Sequence, residues 1–300
     1  MKFRDYFAIV ILIVVAIAGR AMTETPVRET ENPRRPDPDI LEPPAAEIPR
    51  SAGRMLPAES DNDPRLIVEV GEKTGASVGT AFSVDSSGIW VTAHHVTSDC
   101  DIVGLEKKDG KLVRALEISE RSDADITIFR TRGGRPQMKI VQPQLRIGDD
   151  GYSFGYPQGI AGDVHGRVIG RGRMLTRGRY RKDEPVVAWT QVKRVPDRGP
   201  DLSGISGGPW VNSRGEVIGV HVAGSPRRGR SYSTDPRSLI NAVRSSGVET
   251  YGLINTDSAD GLLNPARFPQ YGTRLRDNLV VAKVVCLVGE KWRRLARQRG

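Results

Sequence analysis

The sequence predicts an all-β body, of sandwich or barrel type, with flexible flanks. Three observations point there. From Arg65 onward, short apolar runs alternate with glycine and turn residues at near-regular spacing, which suits successive strands rather than strand–helix–strand units. The 33 glycines and a hydrophobic fraction of 38% fit a strand-rich body better than a helical bundle. Clear helix punctuation occurs once, where Asp235-Pro236 opens a segment over 236–245 that Gly247 stops.

The chain begins with Lys2 and Arg4 and an apolar run from Tyr6 to Ala18. That run is shorter than the ~20 residues that cross a bilayer comfortably. A basic start, an apolar centre and the small pair Ala16 and Ala18 describe a secretory signal over 1–19, cleaved after Ala18. An uncleaved signal anchor, tethering the chain through residues 6–18 with its basic end in the cytoplasm, is the alternative. Either reading exports the body, to the periplasm in a bacterium. Residues 20–64 hold nine of the 20 prolines among Glu, Asp and Arg. Such a segment buries too little surface to offset its ordering entropy, so it reads as a disordered linker.

Five strands are expected next, at 66–70, 77–84, 89–92, 111–118 and 125–131. Ser86-Ser87-Gly88 is a tight connection that sets the third antiparallel to the second. A second group is expected at 151–155, 166–174, 186–192, 209–212, 216–222 and 231–234, before the helix at 236–245. Residues 251–300 form a C-terminal extension. Within it 278–288 is apolar enough for a buried strand or packed segment, and 290–299 is a basic tail, either solvated or a membrane-surface helix.

The formal charge of +9 raises the question of nucleic acid. Five Lys/Arg residues crowd into 291–299, and further arginines lie at 167–181 and 227–230. None of these runs is interleaved with the aromatics on which single-strand binders stack bases, so a nucleic-acid partner is not expected. The only two cysteines, Cys100 and Cys286, cannot make a four-ligand zinc site. In an exported chain they can form one disulfide, and two unrelated buried thiols are the other reading.

The chemistry concentrates in Gly204-Ile205-Ser206-Gly207-Gly208-Pro209. A serine ringed by glycines is what a nucleophile needs when backbone must approach substrate closely. The amides of Gly204 and Ser206 can then converge where an oxyanion would form. The serine needs a base and an orienting group. His95, in Thr92-Ala93-His94-His95-Val96, and Asp125, in Asp123-Ala124-Asp125-Ile126-Thr127-Ile128, supply both upstream.

These three motifs, in the order His, Asp, Ser, resemble those of trypsin-like (chymotrypsin-fold) serine proteases, in particular the bacterial HtrA-like and glutamyl-endopeptidase-like branches. The resemblance covers about 65–246. Ile147-Gly148-Asp149 with Gly155-Tyr156-Pro157, and Val211-Asn212 with Gly215–Val220, extend it beyond the triad. It implies two antiparallel six-stranded barrels, one over about 65–140 and one over 141–250, with one short C-terminal helix. It also implies a peptidase acting on protein or peptide substrates through an acyl-enzyme, with no metal or organic cofactor. HtrA proteases continue into a peptide-binding PDZ domain. The tail here is too short for one, so peptide-gated regulation is not expected.

Residue by residue, the family pattern Thr-Ala-x-His puts the base at His95, with His94 pointing away. Asp125 leads into an alternating strand that gives it a buried seat. Asp123, Asp99 and Asp101 are the alternatives, Asp123 lying in a turn where solvation is expected. The glycine–serine stretch also satisfies the nucleophile elbow of α/β-hydrolases, but Pro209 forbids the helix that fold requires after its serine. Ile205 stands where animal zymogens carry an aspartate, so activation by a newly freed N-terminus is not expected. Local packing or substrate must then hold the oxyanion loop. The pocket for the residue before the scissile bond should be walled by Pro200–Ser203, Val220–Ala223 and Ser225, with Asp201, Ser203, His221 and Ala223 facing it. His221 matches a glutamate-recognising histidine of glutamyl endopeptidases. Asp201 would repel an acidic group or pair with His221 and silence it. Acidic, basic, small and apolar preferences therefore all stay open.

Overall fold

Fourteen strands and four helices occur among residues 53–248 and 263–298, which are those the computed structural model describes. The apolar N-terminal segment, most of the proline-rich linker and residues 249–262 lie outside them. Among the described residues no helix is long and apolar enough to cross a membrane.

Each expected strand has a counterpart. β1 is Arg65–Val70, β2 Ser77–Asp85 and β3 Ile89–Thr92, followed by the single turn α1, His94–Thr97. β4 (Ile102–Glu106), β5 (Leu112–Arg114), β6 (Leu116–Glu120) and β7 (Thr127–Arg130) complete the first group. β8 is Asp150–Gly155, β9 Gly162–Gly178, β10 Lys182–Val195, β11 Pro209–Val211, β12 Val217–Ser225 and β13 Arg230–Thr234. The chain ends with α2 (Pro236–Ser245), α3 (Phe268–Asp277), β14 (Val281–Leu287) and α4 (Glu290–Gln298).

The pairings make two curled sheets. In the second half of the chain, β8, β9, β10, β13, β12 and β11 pair in that order, and β11 returns to β8, closing a six-stranded barrel. Its interior is filled by Trp189 and Trp210, fully buried and stacked with ring centroids 4.3 Å apart. Gly151 makes room for them, since a β-carbon there would lie 2.4 Å from Trp189. α2 is capped by the Asp235 carboxylate, which accepts from the Arg237 amide.

The other sheet runs β5-β4-β14-β2-β3-β7-β6. β5 and β6 are one run of chain bent at Ala115, whose amide donates to Val103 (2.8 Å), so this sheet also rolls up. Two features differ from expectation. Arg65–Val70 takes no place in the first barrel; it pairs in parallel with β9, from Arg65 opposite Arg173 to Val70 opposite Gly178. Its expected position is filled from the far end of the chain. β14 lies antiparallel between β2 and β4, with Val284 opposite both Gly79 and Leu105. The segment 251–300 is therefore no appendage to a domain ending at 250. Val281, Val284 and Cys286 are fully buried because they supply a wall of the barrel.

Two further corrections and one choice between readings concern the flanks. Besides the expected helix at 236–245, α3 and α4 are helical. The fully buried Phe268 of α3 stacks on Tyr152 of β8 (5.5 Å), and Arg276 of the same helix pairs with Asp163 of β9. The end of the expected disordered linker is structured, because Leu56 inserts into the second barrel's core and its amide donates to Leu145 (2.8 Å). Of the two readings for the cysteines, the bonded one holds: Cys100 and Cys286 form a disulfide, their Cα atoms 5.4 Å apart. It ties β14 to the loop just after α1.

Candidate active site

His95 sits in α1, the turn entered from β3, and Asp125 lies two residues before β7, the strand paired with β3. That pairing, Thr92 opposite Thr127, brings the imidazole and the carboxylate together. Nδ1 of His95 lies 2.6 Å from Oδ2 of Asp125, and the His95 amide donates to Oδ1 at 2.9 Å. With Nδ1–H committed to a buried carboxylate, Nε2 is left as the basic nitrogen, on a ring still 25% exposed. Burial would raise the Asp125 pKa; the His95 charge and its two hydrogen bonds outweigh that and hold it below the usual carboxylate range.

His94 faces the other way. Its ring stacks on Tyr180 (4.4 Å) and its Nε2 lies 3.3 Å from Glu120. The other aspartates are spent elsewhere: Asp123 is exposed and bonded to Arg121 (2.9 Å), Asp99 faces Arg179 (3.3 Å), and Asp101 accepts from Gly289 and Arg293.

Ser206 lies in the loop between β10 and β11, and this loop is stitched to the first barrel. The Thr80 amide of β2 donates to the Ser206 carbonyl (2.8 Å), and the Thr80 hydroxyl donates to the Gly204 carbonyl (2.8 Å). Thr92, three residues before His95, donates its hydroxyl to the Thr80 carbonyl (2.6 Å). Gly207 fits into this seam with φ at +88°, where a β-carbon would come within 2.1 Å of the Thr80 carbonyl. Ile205 is 1% exposed and packs into the second barrel's core with Trp189 and Trp210. Apolar packing of Ile205 thus anchors the loop, with no aspartate at this position to take part in an ion pair. The amides of Ile205, Gly207 and Gly208 donate to Leu202, His221 and Ile205. Among the described residues those of Gly204 and Ser206 donate to no backbone carbonyl. The Ser206 hydroxyl likewise forms no hydrogen bond to the His95 ring among the described residues; such contacts commonly tighten only when substrate arrives.

Beside Ser206 lies a cavity of about 130 Å³, walled in part by Pro200, Leu202, Ile205, His221, Ala223 and Gly224. Asp201 and Ser203 are at its rim. The Asp201 carboxylate accepts from the Ser203 amide (2.9 Å) and hydroxyl (2.6 Å), so it does not pair with His221. His221 is buried against Ser153 (3.2 Å) and Trp210, and burial, then the nearby His95, lowers its pKa to about 3.

His94 and His221 make stability depend on pH. Burial, then Lys182, lowers His94 from 6.5 to about 4; His221 falls from 6.5 to about 3. The unfolded chain therefore binds protons that the folded chain refuses. Stability from these two groups is complete above about pH 6.5 and is lost as pH falls toward 3–4. Denaturation midpoints between pH 7 and pH 4 should fall with a slope approaching two protons; a flat profile there would contradict the burial of both rings as neutral bases.

The sequence reading passed over Thr80, Tyr180, Lys182 and Glu184. A lone aromatic inside the basic run Arg177–Lys182 was the only signal for Tyr180.

A model of the trypsin-like peptidase domain family matches residues 79–220. The chain is 30% identical over 149 residues to a probable periplasmic serine endoprotease DegP-like of Rhizobium meliloti (strain 1021), covering 48% of this chain and 27% of that protein. It is 29% identical over 160 residues to a protein of the same description from Brucella suis biovar 1, covering 51% and 29%. The chain thus spans less than a third of these relatives' length. The solved active form of the Rv3671c protease from M. tuberculosis is 17% identical, with a TM-score of 0.47 over 59% of this chain and 83% of that one. The residues matched by the trypsin-like peptidase domain model, 79–220, carry the strands from β2 to β12 and the loop of Ser206.

Proposed function

We propose that this chain is an exported serine endopeptidase that hydrolyses peptide bonds in envelope proteins. The observation that carries the reading is the buried Asp125 carboxylate held 2.6 Å from Nδ1 of His95, with the Ser206 loop bonded through Thr80 to the strands flanking that pair. Ser206 Oγ attacks the peptide carbonyl as His95 Nε2 takes its proton. The amides of Gly204 and Ser206 bind the oxyanion. His95 then passes its proton to the leaving amine, and water, deprotonated by the same ring, releases the acyl-enzyme. Export and a periplasmic site rest on the N-terminal apolar segment and on the relatives' printed names.

The cavity beside Ser206 narrows the choice of substrate. A neutral His221 provides no charge partner for a glutamate, and the carboxylate that lines the cavity, Asp201, is already engaged by the Ser203 amide and hydroxyl. A cavity of about 130 Å³ with Leu202, Ile205 and Ala223 in its walls suits an uncharged side chain before the scissile bond. Profiling on a peptide library should give cleavage after uncharged residues at least tenfold faster than after Glu or Arg. A preference for a charged residue would refute this assignment.

A catalytically silent, peptide-binding module is the second reading, favoured by the unformed bond between Ser206 and His95. A fluorophosphonate probe separates the two: covalent labelling at Ser206 supports the peptidase, and an unlabelled, correctly folded protein supports the binding module.

A further inference from the structure

The tip of the β9–β10 hairpin belongs to the second barrel, yet it reaches across to the His95–Asp125 pair. Four of its side chains meet backbone or carboxylate there. The Arg179 guanidinium donates to the His95 carbonyl (3.2 Å). The Tyr180 hydroxyl donates to Asp125 Oδ1 (3.3 Å). The Lys182 ammonium donates to the carbonyls of Arg121 and Ala124, the latter at 2.7 Å. Glu184 Oε1 accepts from the Asp125 amide (2.8 Å). The tip is itself fastened from outside, because the Arg179 amide donates to Val70 at the end of β1 (3.0 Å).

From this geometry we infer that Tyr180 is a positioning residue for the triad acid: its hydroxyl fixes the Asp125 carboxylate so that Oδ2 meets the His95 ring. The inference rests on the peptidase reading above. Oδ1 receives two donors, the His95 amide and the Tyr180 hydroxyl, which leaves Oδ2 for Nδ1. The Tyr180 ring cannot swing away, being stacked on His94 with Lys182 and Arg179 near its faces. Burial, then the Asp125 charge, raises the phenol's pKa, so the hydroxyl remains a donor throughout the working range. Burial first, and then the Asp125 charge, raises the pKa of Glu184, which is fully buried beside Asp125. The charged and titratable groups around Asp125 are His94 and His95 from α1, Asp123 from its own turn, and Tyr180, Lys182 and Glu184 from the hairpin.

Tyr180→Phe tests this, because it keeps the stacked ring and removes only the hydroxyl. Losing one donor to the carboxylate leaves more negative charge facing the imidazole and tightens its hold on the Nδ1 proton. The acid limb of kcat/KM should move up by about half a pH unit, and kcat should fall about three- to tenfold with KM unchanged, in line with one long hydrogen bond. The downfield proton resonance of His95 Nδ1–H should also shift. A wild-type limb, kcat and resonance in Tyr180→Phe would overturn the inference. If the wild-type protein takes no fluorophosphonate label while Tyr180→Phe still shifts the resonance and its titration, the peptidase reading fails and the positioning stands.

Discussion

Ser206→Ala should reduce hydrolysis of an unfolded protein substrate by about 10⁶-fold, as loss of the nucleophile does in comparable triads. It should also abolish fluorophosphonate labelling and leave the thermal unfolding curve nearly unchanged. Stability is expected to hold because the Ser206 contact that stitches the loop is its backbone carbonyl on Thr80, which alanine retains. The residual rate should exceed that in water, since the Gly204 and residue 206 amides remain in place to bind an oxyanion. Steady-state turnover of a denatured casein, with the label as an independent readout, decides the matter. Turnover within tenfold of wild type would remove Ser206 from the mechanism.

Ending the chain after residue 250 should leave no folded first barrel, although His95, Asp125 and Ser206 would all be present. The loss removes β14 from between β2 and β4 and so exposes two long hydrogen-bonding edges at once. It withdraws the fully buried Val281, Val284 and Cys286, and breaks the only disulfide among the described residues. A native disulfide alone is worth about 2–4 kcal/mol, and each buried valine adds about 1.5–3 kcal/mol. Together they rival the about 5–15 kcal/mol that holds a typical domain folded. The truncated chain should lack a cooperative unfolding transition and be digested by a protease that spares the full chain. A truncated chain that unfolds cooperatively and labels at Ser206 would show that β14 is dispensable.

What the sequence revealed follows the range of each interaction. Local signals were sufficient for most strands, because glycine and turn residues punctuate them: Ser86-Ser87-Gly88 sets the β2–β3 turn, and Asp235-Pro236 starts α2. β4 escaped notice because Gly104 interrupts a short apolar run. Val281–Leu287 was readable as a buried segment, but nothing local states which sheet receives it, since its partners lie about 200 residues earlier. β1 was misplaced for the same reason: alternation identifies a strand and not its neighbour. At the site, the motif residues were readable because catalysis demands particular atoms at particular turns. Thr80, Tyr180 and Glu184 serve through hydrogen bonds across the barrel boundary, and any of them looks ordinary in the chain.

The late insertion of β14 also sets an order of events. On a ribosome or in an export channel, the nucleophile loop emerges long before residue 287 does. Until that segment arrives, the barrel bearing the base and its acid is missing a stave, and the histidine has no fixed seat. Under the peptidase reading, a nascent chain would carry the serine loop before the first barrel could close, and the site would be complete only after Leu287 has joined the sheet.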